Sequence, residues 1–271
     1  MKISVIIPTF RPQAYLWDCL DALRAQTLSA NEWEAIIVLN GEEQPYRLQI
    51  ENYLAQHPLT SWRLLYSSQA GVSNARNLGL QASQGDYICF IDDDDYVSPS
   101  YLEALLAAAD ENTMPLSNLL CFKDDAEGFY PDHISANYQR IKNEDFVSTM
   151  QARKFLSGPV AKLIDRDKAL QESFNPRFAN GEDALYIFSI TRFYKQYRPT
   201  SADAVYYRRV RAHSARHHLK ARIKTMFALM WAYLCLWIKH PLQYSFPLFA
   251  SRFLAIPKGI WDIYRAISKN K

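Results

Sequence analysis

Four short apolar runs, separated by helical patterns, constrain this chain more than any other feature. They are "ISVIIP" (3–8), "WEAIIVL" (33–39), "WRLLYS" (62–67) and "DYICFI" (86–91). A strand that is apolar at successive positions is covered on both faces, as in a parallel sheet, rather than wetted on one. Between the runs lie helical signals. Leu16, Cys19, Leu20 and Leu23 recur on one face after Pro12, Tyr46 to Gln56 continues the pattern, and "AGVSNARNLGLQAS" reads as a loop entering a helix. "SPSYLEALLAAAD" reads as a further helix, capped by Ser98 before Pro99. This βαβαβαβ order predicts an α/β fold with a mostly parallel, Rossmann-like sheet flanked by helices. Such sheets bind ligands beyond the carboxyl ends of their strands, which is where Thr9, Asn40 and Asp92 to Asp95 fall.

After residue 115 the alternation loosens. "LSNLLCF" reads as a strand, Asp124 to Asn143 as a polar, turn-rich loop, "ADAVYYRR" as a late strand, and the chain from Leu219 as helical and aromatic. With 49% hydrophobic and 22% charged residues, the chain is composed for a packed core and not for disorder. Cys19, Cys89, Cys121 and Cys235 stand far apart, which predicts reduced core thiols of a cytoplasmic protein instead of a disulfide frame or zinc site. "MKISVIIPTF" reads as a first strand, because its apolar run is too short for a signal peptide.

Charge is unevenly spread. Ala204 to Trp261 holds ten Lys or Arg and no Asp or Glu, leaving 21 basic against 28 acidic residues elsewhere. Within that stretch "MFALMWAYLCLWI" runs thirteen residues without a charge. As a helix it spans about 20 Å, short of the roughly 30 Å hydrocarbon core of a bilayer. The aromatic and basic mixture that follows suits a membrane interface; a helical subdomain packed on the core, or a dimer contact, are the other readings.

The sharpest chemical signal is Asp92, Asp93, Asp94 and Asp95 directly behind an apolar strand. Two carboxylates about 6 Å apart repel by about 2–3 kcal/mol at an effective dielectric of about 20. A hard divalent cation reverses that sign, and Mg²⁺ takes one or two protein carboxylates and completes its shell with water and phosphate oxygens. If the segment is extended, Asp92 and Asp94 project together and Asp93 and Asp95 project to the other side. The bland reading is a solvated acidic turn ahead of a helix.

"VIIPTF", "GVSNARNLGL", "GDYICFIDDDD" and the later "GEDALY", in that order and spacing, resemble a family 2 glycosyltransferase of the GT-A fold, of the bacterial surface-polysaccharide type, over about residues 1–215. The resemblance implies an inverting transfer of a sugar from a nucleotide-diphosphate donor, a UDP-sugar in first place, to a hydroxyl of a glycan or lipid-linked acceptor. It implies Mn²⁺ or Mg²⁺ as cofactor, with Asp94 as direct ligand, Asp92 on the ribose or metal side, and Asp95 behind them. Thr9 matches the position that contacts the base. Asn40 stands where the family commonly has an aspartate for base or ribose, and "LNGE" replaces the usual Asp-Asp-Gly-Ser; an ordinary turn is the alternative. Arg76 of "NARN" is either a donor contact or a salt bridge to Asp92 or Asp94. The Glu-Asp motif implies Asp183 as catalytic base and Glu182 as ligand of the acceptor hydroxyl; helix N-terminal carboxylates favoured by the macrodipole are the alternative.

The stretch "YYRRVRAHSARHHLK" resembles the segment that closes over the diphosphate in that family. It implies Arg211 as a diphosphate contact and His213 as a third metal ligand; a basic surface facing anionic lipid is the alternative. Nucleic acid is not an expected partner, since no binding module accompanies the patch. The expected organisation is a catalytic domain over 1–218, with a nucleotide-sugar half to about 115 and an acceptor half over 116–218, and a helical extension over 219–271 at the inner face of the cell membrane. Two rivals stand beside this reading: a Mg²⁺-dependent phosphatase or phosphotransferase using an aspartyl nucleophile, and a non-catalytic sugar-nucleotide binding protein. The first expects its acidic motif after the first strand, whereas here it follows the fourth.

Overall fold

The computed structural model describes residues 1–58, 61–211 and 219–256, with side chains in the last stretch described from 225. The first half alternates as expected: β1 (Ile3–Thr9), α1 (Tyr15–Arg24), β2 (Trp33–Asn40), α2 (Tyr46–Gln56), β3 (Trp62–Ser67), α3 (Val72–Ala82), β4 (Tyr87–Phe90), β5 (Tyr96–Val97) and α4 (Tyr101–Ala107). The second half contains β6 (Thr113–Leu116), β7 (Asn118–Lys123), β8 (Ala126–Pro131), α5 (His133–Ile141), β9 (Ile164–Asp165), α6 (Arg166–Ala169), α7 (Glu182–Ile190), β10 (Gln196–Pro199), β11 (Val205–Arg209) and α8 (Leu219–Lys239).

The main sheet has the order β3-β2-β1-β4-β9, parallel through its first four strands, with β9 antiparallel to β4. All residues of β1 and β2 are buried, which is what their unbroken apolar runs require. Burying each Ile, Val or Leu there contributes about 1.5–3 kcal/mol. The register places Thr9 level with Leu39, and Asn40 level with Ser67, so the strand ends share one edge. On α1 the buried residues are Leu16, Cys19, Leu20 and Leu23, the face read from the sequence.

A second sheet, β5-β11-β7-β8, joins the strand after the four aspartates to the late strand. Here the structure departs from the sequence reading. Asp124 to Asn143 is no irregular loop: β8 pairs antiparallel with β7, and α5 follows. β8 has every residue exposed, so it lacks the apolar signature of a strand and is held by its ladder to β7. α5 starts with a capping box, in which Asp132 accepts from Ile134 N (2.6 Å) and Ser135 N (3.0 Å), and it buries Ile134, Tyr138 and Ile141.

Ser98 is likewise not the cap of α4. Its hydroxyl donates to Asp203 O (2.7 Å) and accepts from Val205 N (2.9 Å), tying the aspartate segment to β11. The four cysteines are free; three are buried, but Cys235 is exposed on α8 and is not a core thiol. Among the described residues no helix is long and apolar enough to cross a membrane.

α8 packs on α7. Phe188 and Tyr233 meet edge to face at 5.1 Å, and Leu229 sits over Gly181, the residue preceding α7. Gly181 has φ +86°, and a Cβ there would lie 2.6 Å from Leu229, so a left-handed glycine permits both the turn and the contact.

Candidate active site

At the carboxyl edge of the main sheet lies an open cavity of about 370 Å³ lined by Pro8, Phe10, Tyr15, Asn40, Val72, Arg76, Asp92, Asp93, Asp94 and Arg211. Its floor is built by hydrogen bonds between strand ends. Asn40 is buried; its Nδ2 donates to Thr9 O (2.7 Å) and its Oδ1 accepts from Gly71 N (2.8 Å). A carboxylate at this position could not donate to the Thr9 carbonyl, which gives a physical reason for Asn where the related motif has Asp. Thr9 is buried and its hydroxyl donates to Asp93 Oδ2 (2.5 Å), so it supports the cavity from behind while its neighbours Pro8 and Phe10 line it. Gly41, with φ +89°, leaves room for the Phe10 ring; a Cβ there would stand 2.7 Å from it.

The aspartates do not alternate as an extended strand would. Asp95 N donates to Asp92 O (3.1 Å), closing a turn, and Asp92, Asp93 and Asp94 all line the cavity. Asp95 alone is turned away. It accepts from Tyr206 Oη (2.7 Å) and Arg209 N (2.8 Å), and Tyr206 Oη in turn accepts from Asp92 N (3.1 Å). The expected pairing of Asp93 with Asp95 is therefore corrected: a turn, not a pleat, distributes the four side chains.

Burial sets the electrostatics. It pushes Asp93 up to about 7, with Asp94 and Asp92 adding to the rise and the Thr9 hydroxyl opposing it. It also raises Asp94, against the pull of Arg211, whose Nη2 lies 2.6 Å from Asp94 Oδ2. Arg211 stands over the Tyr15 ring at 5.1 Å. Burial outweighs the pull of Arg211 on both carboxylates, and that is the condition a bound cation would relieve.

Arg76 joins the two acidic motifs. Its Nη2 lies 2.9 Å from Asp92 Oδ1, and its Nη1 pairs closely with Asp183 Oδ1. It does not pair with Asp94. The guanidinium side chain is 4% exposed and sits over the Phe174 ring at 5.3 Å. Phe174 is held by Asn77, whose amide donates to Phe174 O (2.8 Å) and accepts from Phe174 N (2.9 Å), and its ring stacks on Tyr186 at 3.9 Å. Burial lifts Asp183 to about 6, while Arg76 pulls it down. Glu182 beside it is buried, and its Oε2 has no hydrogen-bond partner among the described residues.

Of the residues singled out in the sequence, Asn40, Arg76, Asp92, Asp94 and Arg211 line the cavity, Thr9 lies beneath it, and Asp183 reaches it through Arg76. Glu182 adjoins Asp183 at the start of α7, and His213 lies outside the described residues. Phe10, Tyr15 and Val72 line the cavity without having been singled out. Arg209 was also missed as an organiser. Its Nε donates to Asp94 O (2.9 Å), and its guanidinium pairs with Asp18 (2.7 Å) and Asp124. No local signal separates it from Arg208, which pairs with Asp132 instead.

Comparison with known proteins places these features in context. The family described as Glycosyl transferase family 2 matches residues 4–160, more than half of the chain. The uncharacterized glycosyltransferase EpsJ of Bacillus subtilis (strain 168) is 31% identical over 144 residues, which cover 52% of this chain and 41% of EpsJ. The poly(ribitol-phosphate) beta-N-acetylglucosaminyltransferase TarS of Staphylococcus aureus (strain Mu50) is 30% identical over 112 residues, 41% of this chain and 19% of TarS. The chain thus spans under half the length of these curated relatives. The structure of S. aureus TarS 1–349 in complex with UDP-GlcNAc aligns with a TM-score of 0.67 at 21% identity, over 86% of this chain and 67% of that one. A mannosyltransferase from Pyrobaculum calidifontis, solved with GDP-Man and Mn²⁺, aligns with a TM-score of 0.63 at 17% identity, over 99% of this chain and 74% of that one. These likenesses establish the shared GT-A fold.

Proposed function

Because the chain belongs to glycosyl transferase family 2, we propose that it moves a sugar from a nucleotide-diphosphate donor, a UDP-sugar in first place, to a hydroxyl of a surface glycan or its lipid-linked precursor, with inversion at the anomeric carbon. The observation that carries this reading is the joint at Arg76: one buried guanidinium holds Asp92 of the acidic turn and Asp183 of α7 beside a single cavity. TarS, which is named for transfer of N-acetylglucosamine to poly(ribitol-phosphate), and its UDP-GlcNAc complex support a UDP-sugar and a cell-surface polymer.

In this reading the nucleoside lies between Phe10, Tyr15 and Val72 over the floor made by Thr9 and Asn40. Arg211 faces the diphosphate, where a planar fork suits paired phosphate oxygens. The acceptor hydroxyl approaches Glu182 and Asp183. As its oxygen forms the bond to the anomeric carbon, its proton passes to the Asp183 carboxylate. The bond from that carbon to the diphosphate oxygen breaks, and the nucleoside diphosphate departs with the electron pair. No enzyme nucleophile is required. The unpartnered Oε2 of Glu182 is an available acceptor for a substrate hydroxyl.

The residues present fit a hard divalent cation. Among the described residues no three His, Cys, Asp or Glu form a closed cage. Mg²⁺ and Mn²⁺ at diphosphates need only one or two protein carboxylates, and Asp94 with Asp92 supplies them on the cavity wall. The burial-raised carboxylates mark the same place. When bound, the ion would neutralise charge developing on the leaving diphosphate. Residues 1–218 form the catalytic unit in this proposal and 219–271 the extension, with the chemistry on the cytoplasmic side of the membrane.

Calorimetry with UDP, with Mn²⁺ and with chelator, tests the donor half; a donor panel read by released nucleotide tests the transfer. Chelator-dependent UDP binding with turnover of one sugar donor is expected. Nucleotide binding without transfer to any acceptor would favour the non-catalytic rival, and a covalent aspartyl phosphate would favour the phosphotransferase.

A further inference from the structure

α8 has an outward face that nothing in the described chain covers. Phe227 is 54% exposed, Trp231 67% and Ile238 61%, and just past the helix end Leu242 is 99% and Phe246 61% exposed. Residues 227, 231 and 238 recur at helical spacing on one side of α8. The same helix sends Leu229 and Tyr233 inward, where they are 9% and 4% exposed. The outward row is thus not a byproduct of loose packing; the helix has two apolar faces, and one is buried.

Charge identifies what the free face meets. The outward row lies in the stretch Ala204 to Trp261, which has no acidic residue; of its ten basic residues Arg208, Arg209 and Arg211 pair with aspartates and Arg252 turns inward to Ser157, while Lys220 and Lys224 repeat in the sequence at the spacing of Phe227 and Trp231. The rest of the chain is net acidic, 21 basic against 28 acidic residues. A second copy of this chain would oppose one basic segment to another and repel. An anionic lipid surface attracts the basic stretch, repels the acidic body and accepts Trp and Phe at headgroup depth, so it both binds and orients the molecule. We infer that the outward row Phe227, Trp231, Ile238, Leu242 and Phe246 is a docking surface for anionic membrane lipid.

The surface also has a mechanical relation to the candidate site. Leu229, on the opposite side of the same helix, rests on Gly181, one residue before Glu182. Glu182 and Asp183 therefore stand about one helix diameter, roughly 10 Å, from the docked face. A lipid-linked hydroxyl held at the membrane lies within reach of them. This last step rests on the proposed function; lipid docking itself does not.

The full chain would be floated with vesicles of phosphatidylcholine alone and with a quarter of phosphatidylglycerol, without any sugar donor. Strong binding to the anionic vesicles, weakened by salt, is expected, and the combined variant Phe227→Ser, Trp231→Ser, Ile238→Ser should lose about tenfold or more of it. Circular dichroism and thermal melting report that the variant remains folded, and Phe129→Ser, an exposed aromatic elsewhere, should leave flotation unchanged. Wild-type indifference to anionic vesicles overturns the inference. So does undiminished binding by the folded triple variant, loss of binding only on removal of residues 257–271, or a wild-type dimer that the triple variant splits. Vesicle binding by a protein that transfers no sugar would sink the proposed function and leave the docking surface standing.

Discussion

The acidic turn at the end of β4 and the acidic start of α7 differ in how their carboxylates are held. In the turn every aspartate has a partner: Asp92 has Arg76, Asp93 has Thr9, Asp94 has Arg211, and Asp95 has Tyr206 and Arg209. On α7, among the described residues, Asp183 leans on Arg76 alone and Glu182 keeps an oxygen with none. A crowded, partnered cluster suits holding charge in place while ligands exchange. A half-buried carboxylate with one partner, raised above its usual range by desolvation, suits accepting a proton. In the proposed reading the first group takes ion and donor binding and the second acid–base work, with Arg76 between them.

Four measurements sharpen or break that division, taken from the largest expected effect. Asp183→Asn keeps the shape and removes the base, so kcat should fall by about 10²–10⁴ while UDP affinity holds. A loss of UDP affinity in that variant would erase the distinction between the groups. Asp94→Ala should remove the metal-dependent part of donor binding, about 10²–10³ in kcat/KM, and leave residual binding insensitive to chelator; persistent Mn²⁺ dependence would move the ion to another carboxylate.

The third measurement is the acid limb of the rate. Asp183 must be ionised to take a proton, and burial lifts it to about 6, above the usual carboxylate range. Activity is therefore present above that pH and should fall about tenfold per pH unit below it. The limb should vanish from the residual rate of Asp183→Asn. The sign for stability is the reverse. A carboxyl that holds its proton more tightly folded than unfolded favours the folded state more as pH drops through its folded value, so loss of rate near pH 6 is not explained by unfolding through this group.

Smallest in rate is Asp95→Asn. Because Asp95 is turned from the cavity to Tyr206 and Arg209, the change should cost about 1–3 kcal/mol of stability by denaturant unfolding, with Mn²⁺ affinity nearly unchanged. A large drop in metal affinity would mean that all four aspartates act as one group.

The elements legible in the sequence included those whose burial leaves a pattern, β1, β2, β4 and the inner face of α1, and also the half-buried β3 and the largely exposed α2. The carboxyl-edge location of Thr9, Asn40 and the aspartates followed from their order along the chain. What escaped left no apolar mark, or one hidden in a polar setting. β8 exists as the neighbour of β7, and its exposed residues carry no apolar mark. α5 did carry a local mark, the Asp132–Ser135 box with Ile134, Tyr138 and Ile141 at helical spacing, hidden by the polar setting. Phe10 and Tyr15 look like ordinary aromatics until the strand ends converge around them.

The sequence by itself determined the parallel α/β frame, the edge at which chemistry collects and the excess of carboxylate there, because hydrophobic periodicity and residue charge are local properties. Only the tertiary structure decided which aspartate faces away, that Asn40 must donate as well as accept, and that Arg76 spans two acidic motifs. Those outcomes depend on a turn angle and on side chains far apart in the chain meeting at hydrogen-bond distance, and no spacing along a single strand encodes such a meeting.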